Sequence, residues 1–239
     1  MLQSYKRILK SSLHDKDGTI EHLDDLLFDD KTWIIRYLVV KTGGFLKRER
    51  VLISPLGIAQ MDWSKQMVKL NLTCKQIEES PSVDTDLPVF RQMEKKYFSY
   101  YNWPYYWKDV ATWGVSPINS IMLEREIVDS SKRPRRKDAH VDGHLRSCRI
   151  VSHYSIEVEG SRTGHVEDFL INEKTWAIKN LIVDTKDWWP DQPIKIVPRS
   201  VISVNWFDKC IPLALTPTDI ASAKEYDIGK VGHQSPLSP

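Results

Sequence analysis

The feature that most constrains this chain is an internal repeat. The segment 31-KTWIIRYLVVKT-42 returns as 174-KTWAIKNLIVDT-185, at an offset of 143 residues (174 minus 31). The same offset holds without a gap over residues 20–77, where 17 of 58 paired positions are identical. Average residue usage would give about four identities by chance. The chain therefore contains two copies of one structural unit, here called the first copy and the second copy.

Each copy has the pattern of short β-strands. The stretch 33-WIIRYLVV-40 is rich in β-branched and aromatic residues and follows an Asp-Asp-Lys turn, so it predicts a strand. In the second copy, the alternation of side chains predicts that Trp176, Ile178 and Ile182 lie on one face. Further short apolar runs follow on either side, which makes a mainly β fold the expected class.

Proline and threonine mark the ends of these runs. Pro55 and Pro198 lack the N–H group that a strand ladder needs, so each is expected to end a strand or to lie at a bend. Thr73 and Thr216 stand in N-cap position before a short helix, and Pro217 fits its first turn. Five or six short strands closed by a helix favour a small barrel or a highly curved sheet.

Composition excludes several classes of protein. The 239 residues carry 34 basic and 32 acidic side chains, a net charge of +2 that does not drive binding to nucleic acid or membrane. The sequence contains no apolar run long enough to span a bilayer and no apolar signal segment. Cys74, Cys148 and Cys210 fit neither a disulfide framework nor a zinc site. We expect a cytoplasmic protein, with peripheral placement at the inner face of a membrane as an alternative.

The repeated residues resemble a known family. The order HLDDLL, KTWIIRYLVVKT, Pro55, Trp63, LNLT, with its counterpart in the second copy, is similar to the PRC-barrel superfamily. That superfamily is named for the cytoplasmic domain of the photosynthetic reaction centre H subunit and is shared with a ribosome maturation factor. The chain resembles in particular a tandem bacterial form with an aromatic stretch between the copies. One departure is Glu21, where the second copy has Gly164, so the first hairpin is expected to differ in shape.

The resemblance implies two tandem small β-barrels, each closed by a short helix and joined by an aromatic-rich connector. On this basis the first barrel spans residues 1–90, the connector 91–140 and the second barrel 141–228, with a disordered tail at 229–239. The resemblance also implies a non-enzymatic protein-interaction or assembly module. We expect no catalytic residue, metal or cofactor, a homodimer, and a photosynthetic or electron-transfer membrane complex as partner. The alternatives are a ribosome or RNA assembly factor, and a small-ligand sensor or enzyme that uses a groove between the barrels.

The connector contains the stretch 97-YFSYYNWPYYW-107, in which eight of eleven residues are aromatic. Two small barrels need apolar material between them, so packing within the chain or across a dimer is the favoured interpretation. The candidate interface residues are Tyr97, Tyr100, Tyr101, Trp103, Tyr105, Tyr106, Trp107 and Trp113.

A basic run, 132-KRPRRK-137, follows in the connector and accounts for the positive net charge. A solvated loop is the favoured interpretation, and contact with an anionic partner is the alternative. The candidate contact residues are Lys132, Arg133, Arg135, Arg136 and Lys137.

Two further clusters invite a chemical interpretation. His140, His144, Cys148 and His153 lie close together in sequence, but Gly143 favours a turn and the pattern is not that of a metal site.

The acidic pairs Asp24/Asp25 and Glu167/Asp168 could serve as general acid and base, yet adjacent strand residues point to opposite faces. Because both pairs recur in the repeat, we expect a structural role, in which they accept backbone N–H groups beside a turn.

Overall fold

The computed structural model describes residues 1–18, 20–42, 49–81, 91–103, 144–185 and 193–223. The prediction of a mainly β chain is confirmed. The first copy contains β1 (Leu2–Ser4), α1 (Tyr5–Leu9), β2 (Ser12–His14), β3 (Ile20–Asp29), β4 (Ile34–Thr42), β5 (Glu49–Ile53), β6 (Ile58–Asp62), β7 (Met67–Leu70) and α2 (Cys74–Glu78). It is followed by α3 (Arg91–Tyr101). The second copy contains β8 (Leu145–Ser147), α4 (Cys148–Val151), β9 (Ser155–Val158), β10 (Ser161–Asn172), β11 (Ile178–Asp184), β12 (Ile194–Ile196), β13 (Cys210–Leu213) and α5 (Pro217–Ala221).

The strands form two sheets of related topology. The first sheet has the order β5-β4-β3-β2-β7-β6, and the second has β12-β11-β10-β9-β13. In both, one parallel pair (β2 with β7, β9 with β13) accompanies antiparallel neighbours. Within the described residues both strand orders are open paths, so the pairings do not close either sheet into the expected barrel.

The two copies exchange their first strands. Strand β1 of the first copy pairs with β10 in the second sheet, and β8 of the second copy pairs with β3 in the first sheet. The registers correspond at the same offset, because Leu2 faces Asn172 and Leu145 faces Asp29. The repeat therefore extends back to residue 2. The expected boundaries stay a prediction, and a division at residue 90 places β1 and the sheet that contains it in different units.

A second reciprocal contact joins the copies at the turns before β4 and β11. The Ile35 N–H donates to the Trp176 carbonyl at 2.8 Å, and the Ile178 N–H donates to the Trp33 carbonyl at 2.7 Å. Both tryptophans have the left-handed backbone conformation, with φ of 56° and 57°. Trp33 also stacks on Phe28, with ring centroids 5.2 Å apart. An approximate local twofold axis, which passes between these two turns, thus relates the copies.

One predicted face is wrong because of a β-bulge. The β10–β11 register shifts between Leu170 and Ile171, so Lys179 is an extra residue on β11. An extra residue reverses the alternation beyond it. Ile178 consequently lies in the main core, whereas Ile182 packs with Leu170 on the other face.

The ends of the elements agree with the sequence. Strand β5 stops just before Pro55 and β12 just before Pro198, and each proline begins a short 3-10 turn. Thr73 accepts the N–H of Gln76 at its helix start and forms a capping box with it. Thr216 does the same at α5, where Pro217 occupies the first turn. The predictions for these prolines and threonines are confirmed. Capping could be predicted from the sequence because it depends on residues only three positions apart.

Candidate functional site

The described part of the aromatic stretch packs inside the chain. It lies on α3, whose Tyr97 and Phe98 are buried against Tyr37 on the outer face of the first sheet, with both centroid distances 6.3 Å. These side chains form a second apolar cluster with Leu27 and Val39, separate from the main core. Tyr97 therefore belongs to the interior of the first copy.

The end of α3 is attached to α2. Tyr101 stacks on Trp103 with centroids 4.3 Å apart, and the Tyr100 hydroxyl donates to the Gln76 carbonyl at 3.0 Å. Burial raises the pKa of Tyr101 to about 12, so its hydroxyl remains a donor at neutral pH. Tyr100 is the more exposed of these rings, at 38%. The other candidate interface residues, Tyr105, Tyr106, Trp107 and Trp113, lie outside the described residues.

A buried polar cluster fixes α3 to the start of the second copy. Glu94 of α3 is fully buried and accepts a hydrogen bond from the Tyr37 hydroxyl at 3.0 Å. The His144 Nε2 atom lies 3.2 Å from the other Glu94 carboxylate oxygen. Next to it, the Asp30 N–H donates to the His144 carbonyl, and Arg146 forms an ion pair with Asp30 at 2.7 Å. His144 is thereby enclosed between α3 and the turn at Asp30.

The acidic pairs connect the copies. The Asp25 carboxylate, on β3, accepts hydrogen bonds from the Ser147 hydroxyl and from the Arg149 N–H at 3.0 Å, both at the start of α4. It also accepts the Tyr5 hydroxyl at 2.9 Å and the N–H of Leu26. Burial raises the pKa of Asp25, although these four donors act in the opposite direction.

Asp168 occupies the equivalent place on β10. Its carboxylate accepts the Ser4 hydroxyl at 2.5 Å, the Lys6 N–H at 3.2 Å and the Phe169 N–H at 2.8 Å. Burial likewise raises the pKa of Asp168. Each aspartate thus binds the helix start of the opposite copy, where the cap serine is also the last residue of the exchanged strand. The structure confirms that both accept backbone N–H groups, one from the opposite copy and one from the next residue of their own strand.

Asp24 points away from Asp25 at the bulge in β3. Arg50 Nε lies 2.8 Å from one of its carboxylate oxygens, and Lys41 binds the other. Burial raises the pKa of Asp24, but the hydrogen bonds and charges of these two cations lower it overall. The adjacent acids therefore have separate partners and do not converge on a shared substrate position.

The remaining candidates give no chemical centre in the described residues. No group of three or more His, Cys, Asp or Glu residues there could hold a metal ion. Burial raises the pKa of the Cys148 thiol well above its usual value, which suppresses the thiolate. His153 is exposed, with Nδ1 2.8 Å from the Arg149 carbonyl. His140 and the basic run from Lys132 to Lys137 lie outside the described residues.

Among the described residues, the most exposed apolar side chains lie in the segment 201–213 of the second copy, here called the second-copy hairpin. Ile202 is 66% exposed and Phe207 is 86% exposed, and Phe207 makes an edge contact with Trp206 at 4.9 Å. At the equivalent positions the first copy has Ala59 and Ser64. Sequence reasoning missed this surface, although aligning the copies at the 143-residue offset shows both differences.

An open groove lies beside Ile202. It has a volume of about 380 Å³ and is lined by Glu157, Glu159, Gly160, Ile202, Pro212, Leu213, Ala214, Leu215, Thr216 and Asp219. Its wall is less regular than in the first copy, because Pro212 has no N–H to donate where the first copy has Lys69. Segment 201–205 is accordingly joined to β13 by isolated bridges at Val201 and Asn205.

Comparison with known proteins does not assign this surface. No protein-family model matches the chain, and a search of curated proteins found no significant match. Among the helices that the structure describes, none combines the length and the apolar character needed to cross a bilayer.

Proposed function

We propose that this protein is a non-enzymatic protein-interaction module whose docking surface is the second-copy hairpin. The observation that carries the proposal is the exposure of Ile202 and Phe207 in a structural unit that occurs twice. The first copy builds the same hairpin with Ala59 and Ser64, both exposed, so the fold itself does not require apolar side chains there. Exposed large apolar residues are costly in water unless a partner covers them.

The titratable residues support a structural rather than a catalytic assignment. Asp25 and Asp168 bind the helix starts that follow the exchanged strands, Glu94 contacts Tyr37 and His144, and burial raises the pKa of the Cys148 thiol. Groups that act in proton transfer or nucleophilic attack must reach a substrate. These side chains instead face one another inside the chain.

The resemblance to the PRC-barrel superfamily supports an assembly role. In this proposal the two sheets represent two small barrel-like units, and the partner is a subunit of a membrane-associated electron-transfer or photosynthetic complex. An apolar hairpin on one copy would provide the contact, while the other copy has its outer face covered by α3. Fold likeness alone does not identify the partner, so the experiment must do so.

The test is affinity capture from source cells with the soluble and membrane fractions kept apart. Wild-type protein is compared with the Ile202→Ala/Phe207→Ser variant, which introduces the residues of the first copy. Leu56→Ala is the matched control, because Leu56 is also an exposed apolar residue but lies in the first copy. We expect partners identified by mass spectrometry to be retained by the control and lost by the hairpin variant. Equal recovery of every partner by all three proteins would refute the proposal.

A further inference from the structure

The groove beside Ile202 is acidic. Three carboxylates line it, those of Glu157, Glu159 and Asp219, and no lysine or arginine is among its lining residues. Its formal charge is therefore −3. Ile202 and Pro212 supply an apolar wall next to these charges. Such a surface fits a ligand that presents cations on aliphatic stems.

The same surface of the first copy has the opposite charge. At the 143-residue offset, Glu157 and Glu159 are replaced by His14 and Lys16, and Pro212 is replaced by Lys69. Lys16 and Lys69 are both exposed. Two lysines against one aspartate, Asp17 in place of Gly160, give +1 with histidine counted neutral. The strands that carry Glu157 and Pro212 are paired as in the first copy, since β2 and β7 pair in parallel as β9 and β13 do.

We infer that the acidic groove of one chain binds the basic face of the first copy of a second chain, so that chains associate head to tail. This inference rests on the proposed function, since Ile202 of the docking surface also lines the groove, and it adds a second copy of the chain as a partner beside the complex subunit. The ammonium groups of Lys16 and Lys69 lie against the groove carboxylates. Their methylene stems cover Ile202 and Pro212, as long basic side chains do on apolar surface. Opposite charges on two faces of one molecule favour this contact over like-with-like pairing.

Head-to-tail contact determines the products that are possible. A contact between two different faces leaves one free face at each end, so the chains either close into a ring or extend as a filament. The contact is rich in exposed charges. Salt weakens the attraction between such charges, with a screening length of about 10 Å at 0.1 M ionic strength. Association is therefore expected to weaken as salt is added.

The inference is tested by charge reversal on the full chain, with mass measured by sedimentation and light scattering over a wide range of concentration. The groove variant, Glu157→Lys/Glu159→Lys, changes the groove from −3 to +1. The face variant, Lys16→Glu/Lys69→Glu, changes the basic face from +1 to −3. Each variant then has two faces of the same sign. Circular dichroism establishes that both remain folded.

We expect wild-type protein to associate at low salt. Each variant alone should associate more weakly by a factor of about ten or more. An equimolar mixture of the two variants restores wild-type association, because each chain then meets complementary faces. A wild-type chain that stays monomeric, or a mixture no more associated than its components, overturns the inference. Partner capture that depends on Ile202 and Phe207 by a monomeric chain would overturn it too, while leaving the proposed function intact.

Discussion

Removing the Asp25 carboxylate should lower the free energy of unfolding more than any other single truncation at the junction of the two copies. Asp25 is completely buried and accepts three hydrogen bonds from other elements, from the Tyr5 and Ser147 hydroxyls and the Arg149 N–H. Asp168 accepts only two such bonds, from the Ser4 hydroxyl and the Lys6 N–H.

The magnitude follows from the donors left without a partner. Each buried donor that loses its acceptor costs about 1–3 kcal/mol, and relief from burying the carboxylate subtracts part of the total. We expect Asp25→Ala to lower the free energy of unfolding by about 3–5 kcal/mol, and Asp168→Ala by about 2–3 kcal/mol. The pseudo-equivalent pair thus provides its own comparison, with Tyr5 as the source of the difference.

Urea denaturation followed by circular dichroism and tryptophan fluorescence measures both values. Asp62→Ala is the matched control, because Asp62 also accepts two local N–H groups, from Ser64 and Lys65, but in a solvent-facing turn. Its effect should be much smaller than that of either buried aspartate. A loss below about 1 kcal/mol for Asp25→Ala would refute the reasoning, since buried donors cannot be left unpaired at so small a cost.

Three further predictions concern the same junction and α3. Tyr5→Phe should cost about 1–2 kcal/mol of unfolding free energy in wild-type protein and almost nothing in an Asp25→Ala background, which a double-mutant cycle measures. Burial raises the pKa of Asp25 above its ordinary value of 3.8. The contribution of Asp25 to stability is therefore complete below pH 3.8 and is lost as the pH rises through the pKa of the folded state. Denaturation in parallel at acidic and neutral pH should show a larger loss from Asp25→Ala in acid, and a loss that grows with pH would contradict this sign. Glu94→Ala should cost about 2–4 kcal/mol, because it removes the acceptor of the buried Tyr37 hydroxyl and the carboxylate that lies 3.2 Å from the His144 Nε2 atom, and hydrogen exchange should show α3 opening first. Unchanged protection of α3 would contradict that assignment.

Local features of the fold could be predicted because the residues that cause them are close in sequence. The capping threonines act on N–H groups within one turn, and the prolines end strands where they stand. The mainly β class followed from short runs of β-branched and aromatic residues. The repeat then doubled each of these observations, since a pattern that returns at a fixed offset is evidence for the same local structure.

The exchange of β1 and β8 could not be predicted in the same way. A strand as short as Leu2–Ser4 has the same side-chain pattern whether it pairs with β3 of its own copy or with β10 of the other. Asp25 and Asp168 support the exchanged pairing, because each binds the helix start that follows an exchanged strand. The bulge at Lys179 was invisible for a related reason, because one extra residue reverses a face without altering composition.

A comparison of the two copies distinguishes the residues that the fold requires from those that it does not. Where the copies keep the same residue type, as at the paired aspartates, the side chain serves the common backbone. Where the backbone is shared and the side chains differ in charge or polarity, the fold gives no reason for the difference. Glu159 against Lys16 and Phe207 against Ser64 are differences of this second kind, and they fall on surfaces that the described residues leave open to solvent. The proposed function accordingly assigns different tasks to the two copies, and the exposed surface of the second copy is where binding is to be tested.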